Sequence, residues 1–277
     1  MFEVEAVHYA GLDARIRVYR CADVPVDSFA VLTRRFAVIV DTLISQEAML
    51  AVLADLEPDL GSRGLLVVNT HGDWDHVWGN GLFAGPDAAR PAPIIGHEGA
   101  ETRMREAEAS GILEEKRAED PAYRTAGWFP PTLSIAGPGR IEGGDLSLSL
   151  LPAPGHTPDH LAIWIPQVRL LLAGDAAEWP FPEAGDDPSV LRATLRRMRD
   201  LGPRTVLYCH APGRTTPDLI DENLVYFERL EEEARSGRDW PAAEAIPPDL
   251  DGALDRSLYE SFHQHNVAAM RGRFRGQ

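Results

Sequence analysis

The feature that most constrains the fold is an apolar run that leads directly into a cluster of metal-binding side chains. Residues 64–69 read Gly-Leu-Leu-Val-Val-Asn, which is typical of a buried strand. His71, Asp73, Asp75 and His76 follow within six residues. Because a strand sends neighbouring side chains to opposite faces, we predict that these four converge in a loop at the strand's carboxyl end. Imidazole and carboxylate groups are ligands for zinc, iron and manganese. The alternative is a polar loop without a metal.

The composition indicates a globular and strongly acidic chain. With 277 residues, 44% of them hydrophobic, it can bury a large core in one domain. The 27 basic and 43 acidic residues give a net charge of −16, which argues against nucleic acid and anionic membranes as partners. Two cysteines do not form a disulfide framework, and no apolar run approaches the ~18 residues of a membrane span. The first twenty residues lack the apolar core of a secretory signal. We therefore expect a cytoplasmic protein.

The first third of the chain shows the pattern of a β-α-β unit. Residues 28–32 and 36–41 are apolar runs joined by Thr33-Arg34-Arg35, as in a hairpin. Ser45 is a plausible cap for a helix through Leu56, and the strand at 64–69 follows. This order predicts adjacent strands whose carboxyl ends share one edge, where ligand sites of α/β sheets lie. Asp41 would lie at the same edge as His71.

The rest of the chain repeats this placement of polar residues at strand ends. A predicted strand at 146–151 precedes Pro154-Gly155-His156-Thr157, a hairpin at 161–173 ends at Gly174-Asp175, and a strand at 205–209 ends at His210. The remaining predicted segments are a helix at 97–118, a loop at 127–131 that is either a lid or pinned by its own aromatic residues, and helices at 188–201, 216–237 and 253–271. Leu258, Phe262 and Val267 are expected to form the apolar side of the last helix.

The ordered motifs resemble those of the metallo-β-lactamase superfamily over roughly residues 28–213. The motifs are His71-x-Asp73-x-Asp75-His76, then Pro154-Gly155-His156-Thr157, then Gly174-Asp175, then His210. The resemblance implies an α/β (α+β) fold, a four-layer αββα sandwich with C-terminal helices. We accordingly expect a domain at 1–213 and a helical extension at 214–277 packed on it.

The resemblance also implies two divalent metal ions, in the first place zinc. His71, Asp73 and His156 would hold one ion, Asp75, His76 and His210 would hold the other, and Asp175 would bridge them. Asp75 would be the catalytic residue that orients a hydroxide between the ions. Asp41 would brace the ligand loop, and Trp74, His160 and Trp179 are candidates for supporting the site or lining the pocket.

Asp73 departs from the family pattern, which has His at this position. With all ligands bound, Asp73, Asp75 and Asp175 contribute three negative charges against the four positive charges of two divalent ions. The centre is then less positive than the usual set with His, and we expect it to acidify bound water less well. Oxygen ligation also favours manganese or iron, and two His with one carboxylate is the ligand set of non-haem iron enzymes. We predict that Asp73 is a true ligand, because an unpaired carboxylate there would be costly unless a cation neutralised it.

The function implied by the resemblance is that of a metal-dependent hydrolase. A hydroxide bound to the dinuclear centre would attack an ester, thioester, lactone or amide group of a small-molecule substrate. One alternative is a non-haem iron oxidoreductase of the persulfide dioxygenase type. The other is a non-catalytic small-molecule binder that shares the fold, since a fold does not fix a function.

Overall fold

The computed structural model describes residues 2–248, 250 and 254–275. In this part of the chain there are twelve β-strands in two sheets and eight α-helices. The strands are β1 Val4–Val7, β2 Ile16–Cys21, β3 Val26–Leu32, β4 Phe36–Val40, β5 Gly64–Val68, β6 Ile94–His97, β7 Leu133–Ile135, β8 Gly139–Glu142, β9 Ser147–Pro152, β10 Leu161–Ile165, β11 Leu170–Gly174 and β12 Thr205–Tyr208. The helices are α1 Gln46–Leu60, α2 Trp74–Val77, α3 Ala100–Ala109, α4 Ile112–Glu119, α5 Pro188–Asp200, α6 Asp218–Ser236, α7 Ala242–Ala245 and α8 Arg256–Arg275.

The seven-stranded sheet runs in the order β1-β2-β3-β4-β5-β6-β7 and contains the predicted β-α-β unit. Strands β3 and β4 are antiparallel, whereas β4 and β5 are parallel, with Val40 opposite Val68. Helix α1 connects them, and the Ser45 side chain accepts a hydrogen bond from the Ala48 N–H, as predicted for its cap. Because β4 and β5 end level with each other, Asp41 and the loop that starts at Asn69 leave the same edge of the sheet.

The five-stranded sheet runs in the order β12-β11-β10-β9-β8. Strands β11 and β12 are parallel, with Leu172 opposite Leu207 and Gly174 opposite Tyr208. Asp175 and His210 therefore both follow the paired carboxyl ends of neighbouring strands. This is the placement that the sequence predicted for them.

The described residues divide into two compact units. The first comprises the described residues up to Pro152 together with Ile163–Val168, and the second comprises Ala153–Ala162 and the described residues from Arg169 onward. Within the second unit, α6 and α8 pack against α5 and against each other. The predicted domain boundary at residue 213 stays a prediction. None of the helices formed by the described residues is long and apolar enough to cross a membrane.

One predicted segment differs from the structure, and a second is a loop as predicted, with the contacts of one of its two alternatives. The single helix expected at 97–118 is two helices, α3 and α4, because Gly111 lies between them in the left-handed region at φ +80°. The loop at 127–131 has the features of a pinned loop. Its Phe129 carbonyl accepts a hydrogen bond from Asn80 Nδ2 at 2.8 Å, and its Trp128 ring packs edge-on against Trp78.

The buried side of α8 differs from the predicted one. Leu258 is 46% exposed, and Phe262 and Val267 are only partly buried. The side chains that the helix buries are instead those of Tyr259, His263, Asn266 and Met270. The prediction was wrong because it counted only apolar residues, whereas three of these four side chains have polar atoms that find hydrogen-bond partners inside the protein. The predicted start of this helix at Ala253 lies outside the described residues.

Candidate metal centre

The loop after β5 brings together the four predicted donors of the first unit. The buried rings of His71 and His76 have centroids 4.3 Å apart. Asp73 Oδ2 lies 3.3 Å from His71 Nε2, and Asp75 Oδ2 lies 3.6 Å from His76 Nε2. Asp75 and His76 belong to the one-turn helix α2, which begins directly after Asp73. The turn from loop to helix therefore allows consecutive ligand-type residues to face one another, which a strand does not.

Asp41 determines which nitrogen of these two histidines carries a proton. Its fully buried carboxylate accepts hydrogen bonds from the Thr70 N–H and the Thr70 hydroxyl, both at 2.7 Å, and from His76 Nδ1 at 2.9 Å. Because the Thr70 hydroxyl donates its one proton to Asp41, it accepts from His71 Nδ1, at 2.9 Å. Both rings are thus protonated at Nδ1 and present the lone pair of Nε2, the arrangement that metal-binding histidines use. Asp41 thus holds the loop after β5 through three hydrogen bonds, and its support of metal ligands stays a prediction.

The second unit contributes His156, Asp175 and His210. His156 Nδ1 donates to the Glu183 carbonyl at 2.9 Å, which leaves Nε2 with its lone pair, 3.9 Å from Asp175 Oδ2. His210 Nε2 lies 3.3 Å from the same carboxylate oxygen. The fold therefore places two imidazole nitrogens around one oxygen of Asp175, the residue predicted to bridge two ions.

Close packing against helix α5 explains why the residue before His156 is a glycine, Gly155. Its φ is +139°, and a Cβ atom at this position would lie 2.3 Å from the Cα of Leu191 in α5. Any other residue would force the turn away from the helix. The glycine of the Pro-Gly-His-Thr motif is therefore a packing requirement of the turn that carries His156.

The donor set fits divalent metal ions. A nitrogen lone pair that faces a carboxylate oxygen across 3.3–3.9 Å is stabilised when a cation lies between the two. Neutral imidazole and ionised carboxylate are the forms in which histidine and aspartate bind metals. All seven predicted ligands are among the His and Asp side chains that could hold a metal ion.

Asp73 has a partner that the sequence did not reveal. Arg103, in α3, forms an ion pair with Asp73 Oδ1, while Oδ2 of the same carboxylate faces His71. The expectation that a metal ion must neutralise Asp73 is therefore incomplete, because Arg103 already offsets its charge. The pair of Asp73 and Arg103 has the net charge of the neutral histidine that it replaces. No sequence pattern marks Arg103, since it is one of several arginines in a helix rich in Glu, Ala and Arg.

The three candidate supporting residues lie in different surroundings. His160 is fully buried, and its Nε2 accepts a hydrogen bond from the backbone N–H of Asp175 at 3.1 Å, so it holds the turn that carries Asp175. The partly exposed Trp74 ring packs 4.9 Å from Trp78. The guanidinium of Arg214 lies 4.5 Å from the centre of the Trp179 ring, a cation–π contact.

Glu178 is a candidate functional residue that sequence reasoning missed. It is only 4% exposed, and Tyr259 Oη donates a hydrogen bond to its Oε1 at 2.6 Å. In the metal-free protein, burial raises the pKa of Glu178 to about 7, an effect that His210 opposes and Asp175 reinforces. A buried carboxyl with a perturbed pKa is a candidate for a functional role. Its only signal in the sequence is its position three residues after Asp175.

Comparisons with known proteins agree with this architecture. Residues 22–210 match the family described as the metallo-beta-lactamase superfamily. A hydroxyacylglutathione hydrolase from Anaeromyxobacter dehalogenans (strain 2CP-C) is 26% identical over 181 residues, which are 64% of this chain and 57% of that protein. A beta-lactamase-like protein 2 homolog from Caenorhabditis elegans is 26% identical over 88 residues, 31% of this chain and 30% of that protein. The chain thus spans less than two thirds of either relative.

A solved structure with the same fold is a beta-lactamase domain protein from Burkholderia ambifaria. It superposes with a TM-score of 0.69 at 18% identity, covering 96% of this chain and 87% of that one. At this identity the likeness concerns the fold alone. The predicted fold class, α/β with two sheets and C-terminal helices, is confirmed.

Proposed function

The chain belongs to the metallo-β-lactamase superfamily, and we propose that it is a metal-dependent hydrolase. The observation that supports this proposal most directly is the set of hydrogen bonds that hold His71, His76 and His156 at Nδ1 and leave Nε2 for a metal. Hydrogen bonds that served only to satisfy buried histidines would not have to engage the same ring nitrogen, Nδ1, in all three residues. The assignment of ligands to the two ions comes from the match of these residues to the family's motifs. This assignment is part of the proposal.

In this assignment His71, Asp73 and His156 would hold one ion, Asp75, His76 and His210 would hold the other, and Asp175 would be a ligand of both. When bound, two divalent cations acidify water and polarise the carbonyl group of an ester, thioester, lactone or amide. Asp75 would accept the proton of the attacking water at its carboxylate. His160, through its hydrogen bond with the backbone N–H of Asp175, helps to keep the Asp175 carboxylate in position.

Zinc is the metal that we propose. The sequence alone raised manganese and iron as alternatives, because Asp73 adds an oxygen ligand and a negative charge. Since Arg103 pairs with Asp73, the local charge is that of the family's usual histidine set. The carboxylate oxygen remains, however, and it is the feature that favours the second candidate, an iron-dependent oxidoreductase of the persulfide dioxygenase type.

The test combines metal analysis with an unbiased panel of small-molecule esters, thioesters, lactones and amides. We expect about two zinc ions per chain and turnover of at least one of these classes. Asp75→Ala and His210→Ala should each lower turnover by more than about 100-fold while the fold persists, because even groups that only support ligands contribute about 10–100-fold. Asp87→Ala, at an exposed carboxylate, is the control. Iron in the purified protein together with no hydrolysis, or full activity of Asp75→Ala, would contradict the proposal.

A further inference from the structure

Two buried asparagines bind the backbone of the segment that follows Asp175, here called the 178–184 segment. Asn223 lies in α6 and Asn266 lies in α8, and neither side chain is exposed. Asn266 Oδ1 accepts from the Ala184 N–H at 2.7 Å, and its Nδ2 donates to the Pro182 carbonyl at 3.0 Å. The C-terminal helix α8 is therefore tied to this segment by a side-chain amide.

The peptide group that Asn266 binds is the one that binds His156. The Ala184 N–H and the Glu183 carbonyl belong to a single planar peptide group. Its N–H donates to Asn266 and its carbonyl oxygen accepts from His156 Nδ1 at 2.9 Å. Because the group is rigid, the position of the asparagine sets the direction of the carbonyl and therefore the orientation of the His156 ring. Hydrogen bonds at the two ends of one peptide group also strengthen each other.

A chain of hydrogen bonds fixes the orientation of the Asn266 amide. The Trp240 carbonyl, which can only accept, takes a hydrogen bond from His263 Nε2 at 2.7 Å. His263 Nδ1 then accepts from Tyr226 Oη at 2.9 Å, and Tyr226 Oη accepts from Asn266 Nδ2 at 3.2 Å. A flipped amide would place two donors together at Ala184 and two acceptors together at Pro182. The direction of every bond in the chain is thus determined.

We infer that Asn266 is a positioning residue for the binding of metal by His156. This inference rests on the proposed function, since it assigns His156 to a metal ion. The alternative is that Asn266 only fastens α8 to the rest of the second unit. The two readings differ in what the loss of Asn266 does to metal binding when the fold is intact.

Asn223 offers a matched control. Its Oδ1 accepts from the Glu178 N–H at 3.0 Å, and its Nδ2 donates to the carbonyls of Glu178 and Pro180 at 3.0 and 3.1 Å. It has the same burial and the same number of hydrogen bonds as Asn266, but none of them reaches the peptide group between Glu183 and Ala184. A purely structural role predicts equal consequences for the two asparagines.

The experiment measures cobalt(II) binding by Asn266→Ala and Asn223→Ala after removal of metal, at a temperature where circular dichroism shows both variants folded. We expect Asn266→Ala to lose about 10–100-fold in affinity for one of two cobalt ions, with a changed visible spectrum. Asn223→Ala should keep both affinities. In a His156→Ala background, Asn266→Ala should cause no further loss, because the residue acts through His156. Equal losses in the two asparagine variants, or a full additional loss without His156, would overturn the inference.

A measurement on the unmodified protein keeps the test valid if a variant does not fold. A metal ion on His156 Nε2 makes its Nδ1–H a stronger donor to Glu183, so zinc should shift the amide resonance of Ala184 and the side-chain amide of Asn266 more than those of Glu178 and Asn223. Equal shifts would overturn the inference. If the parent protein binds no metal, the proposed function fails with it, whereas normal metal binding with no effect of Asn266 removes this inference alone.

Discussion

At the scale of single residues, hydrogen bonds decide how the predicted ligands are used. Sequence spacing predicted His71, His76 and His156 as metal ligands, but it did not predict which ring nitrogen each would present to a metal. That choice depends on the Asp41 carboxylate, the Thr70 hydroxyl and the backbone carbonyl of Glu183. Glu183 is 27 residues from His156 in the sequence. Its backbone carbonyl has no sequence signature, because every residue has a backbone carbonyl.

The ionisation of Glu178 makes the stability of the folded protein depend on pH. Its pKa is raised from 4.5 to about 7 by burial, so between these values the folded protein holds a proton that the unfolded chain has released. In metal-free protein, stability from this group is therefore present below about pH 4.5, falls as the pH rises to about 7 and then stays constant. Glu178→Gln removes the cost of ionisation and can still accept from Tyr259.

We expect Glu178→Gln to raise the free energy of unfolding of the metal-free protein by up to a few kcal/mol near pH 8 and to give no gain near pH 4. Urea unfolding of parent and variant in the presence of a chelator, at both pH values, measures the difference. An equal gain at the two pH values would mean that packing, and not ionisation, distinguishes the side chains.

Substitutions of Asp73 and Arg103 are expected to shift the pH–rate profile in opposite directions. Asp73→His raises the local charge by one and Arg103→Gln lowers it by one, while the double variant restores it. Positive charge lowers the pKa of a nearby group that must lose a proton. The acidic limb should therefore move to lower pH in Asp73→His, to higher pH in Arg103→Gln and back toward the parent in the double variant.

The affinity for zinc should rise relative to that for manganese and iron in Asp73→His, because a nitrogen replaces an oxygen ligand. Unchanged metal preference and an unchanged acidic limb in Asp73→His would show that Asp73 does not touch the metal.

At the scale of helices and strands, the sequence predicted most of the fold. The β-α-β unit of β4, α1 and β5 is marked by apolar runs, a serine cap and short connections, which are all local signals. Strand ends were predicted to within one or two residues for β5, β11 and β12. These signals suffice to place the predicted ligands, because each of these residues follows a strand end.

Helix α8 shows where the local signals fail. Its hydrophobic residues suggested a face with Leu258, Phe262 and Val267, yet the helix buries a polar face with His263 and Asn266. A buried asparagine is favourable only when its partners are in place, and these partners lie in the 178–184 segment and in Tyr226. Such long-range complementarity is not visible in the hydrophobic pattern of one helix, and it is what connects α8 to His156.

At the scale of the whole molecule, the net charge of −16 affects every measurement of metal binding. An acidic surface attracts divalent cations of any kind, and this attraction is screened by salt. Stabilisation by a cation is therefore evidence for a specific centre only if it depends on the kind of cation and on the proposed ligands. Calcium supplies the contrast, since it takes oxygen ligands and binds histidine poorly, whereas zinc binds both histidine and aspartate.

We expect zinc to raise the melting temperature of chelator-treated protein in moderate salt, since a ligand at 100 times its dissociation constant stabilises by about 2.7 kcal/mol. Calcium at the same concentration should have little effect. His76→Ala, which removes a fully buried imidazole held by Asp41, should abolish most of the zinc-induced increase. His8→Ala, at an exposed histidine, should retain it. Calorimetry with both metals on the three proteins makes the comparison. If calcium matched zinc, or if His76→Ala responded like the parent, the cations would be acting on surface carboxylates and the proposed centre would lose its support.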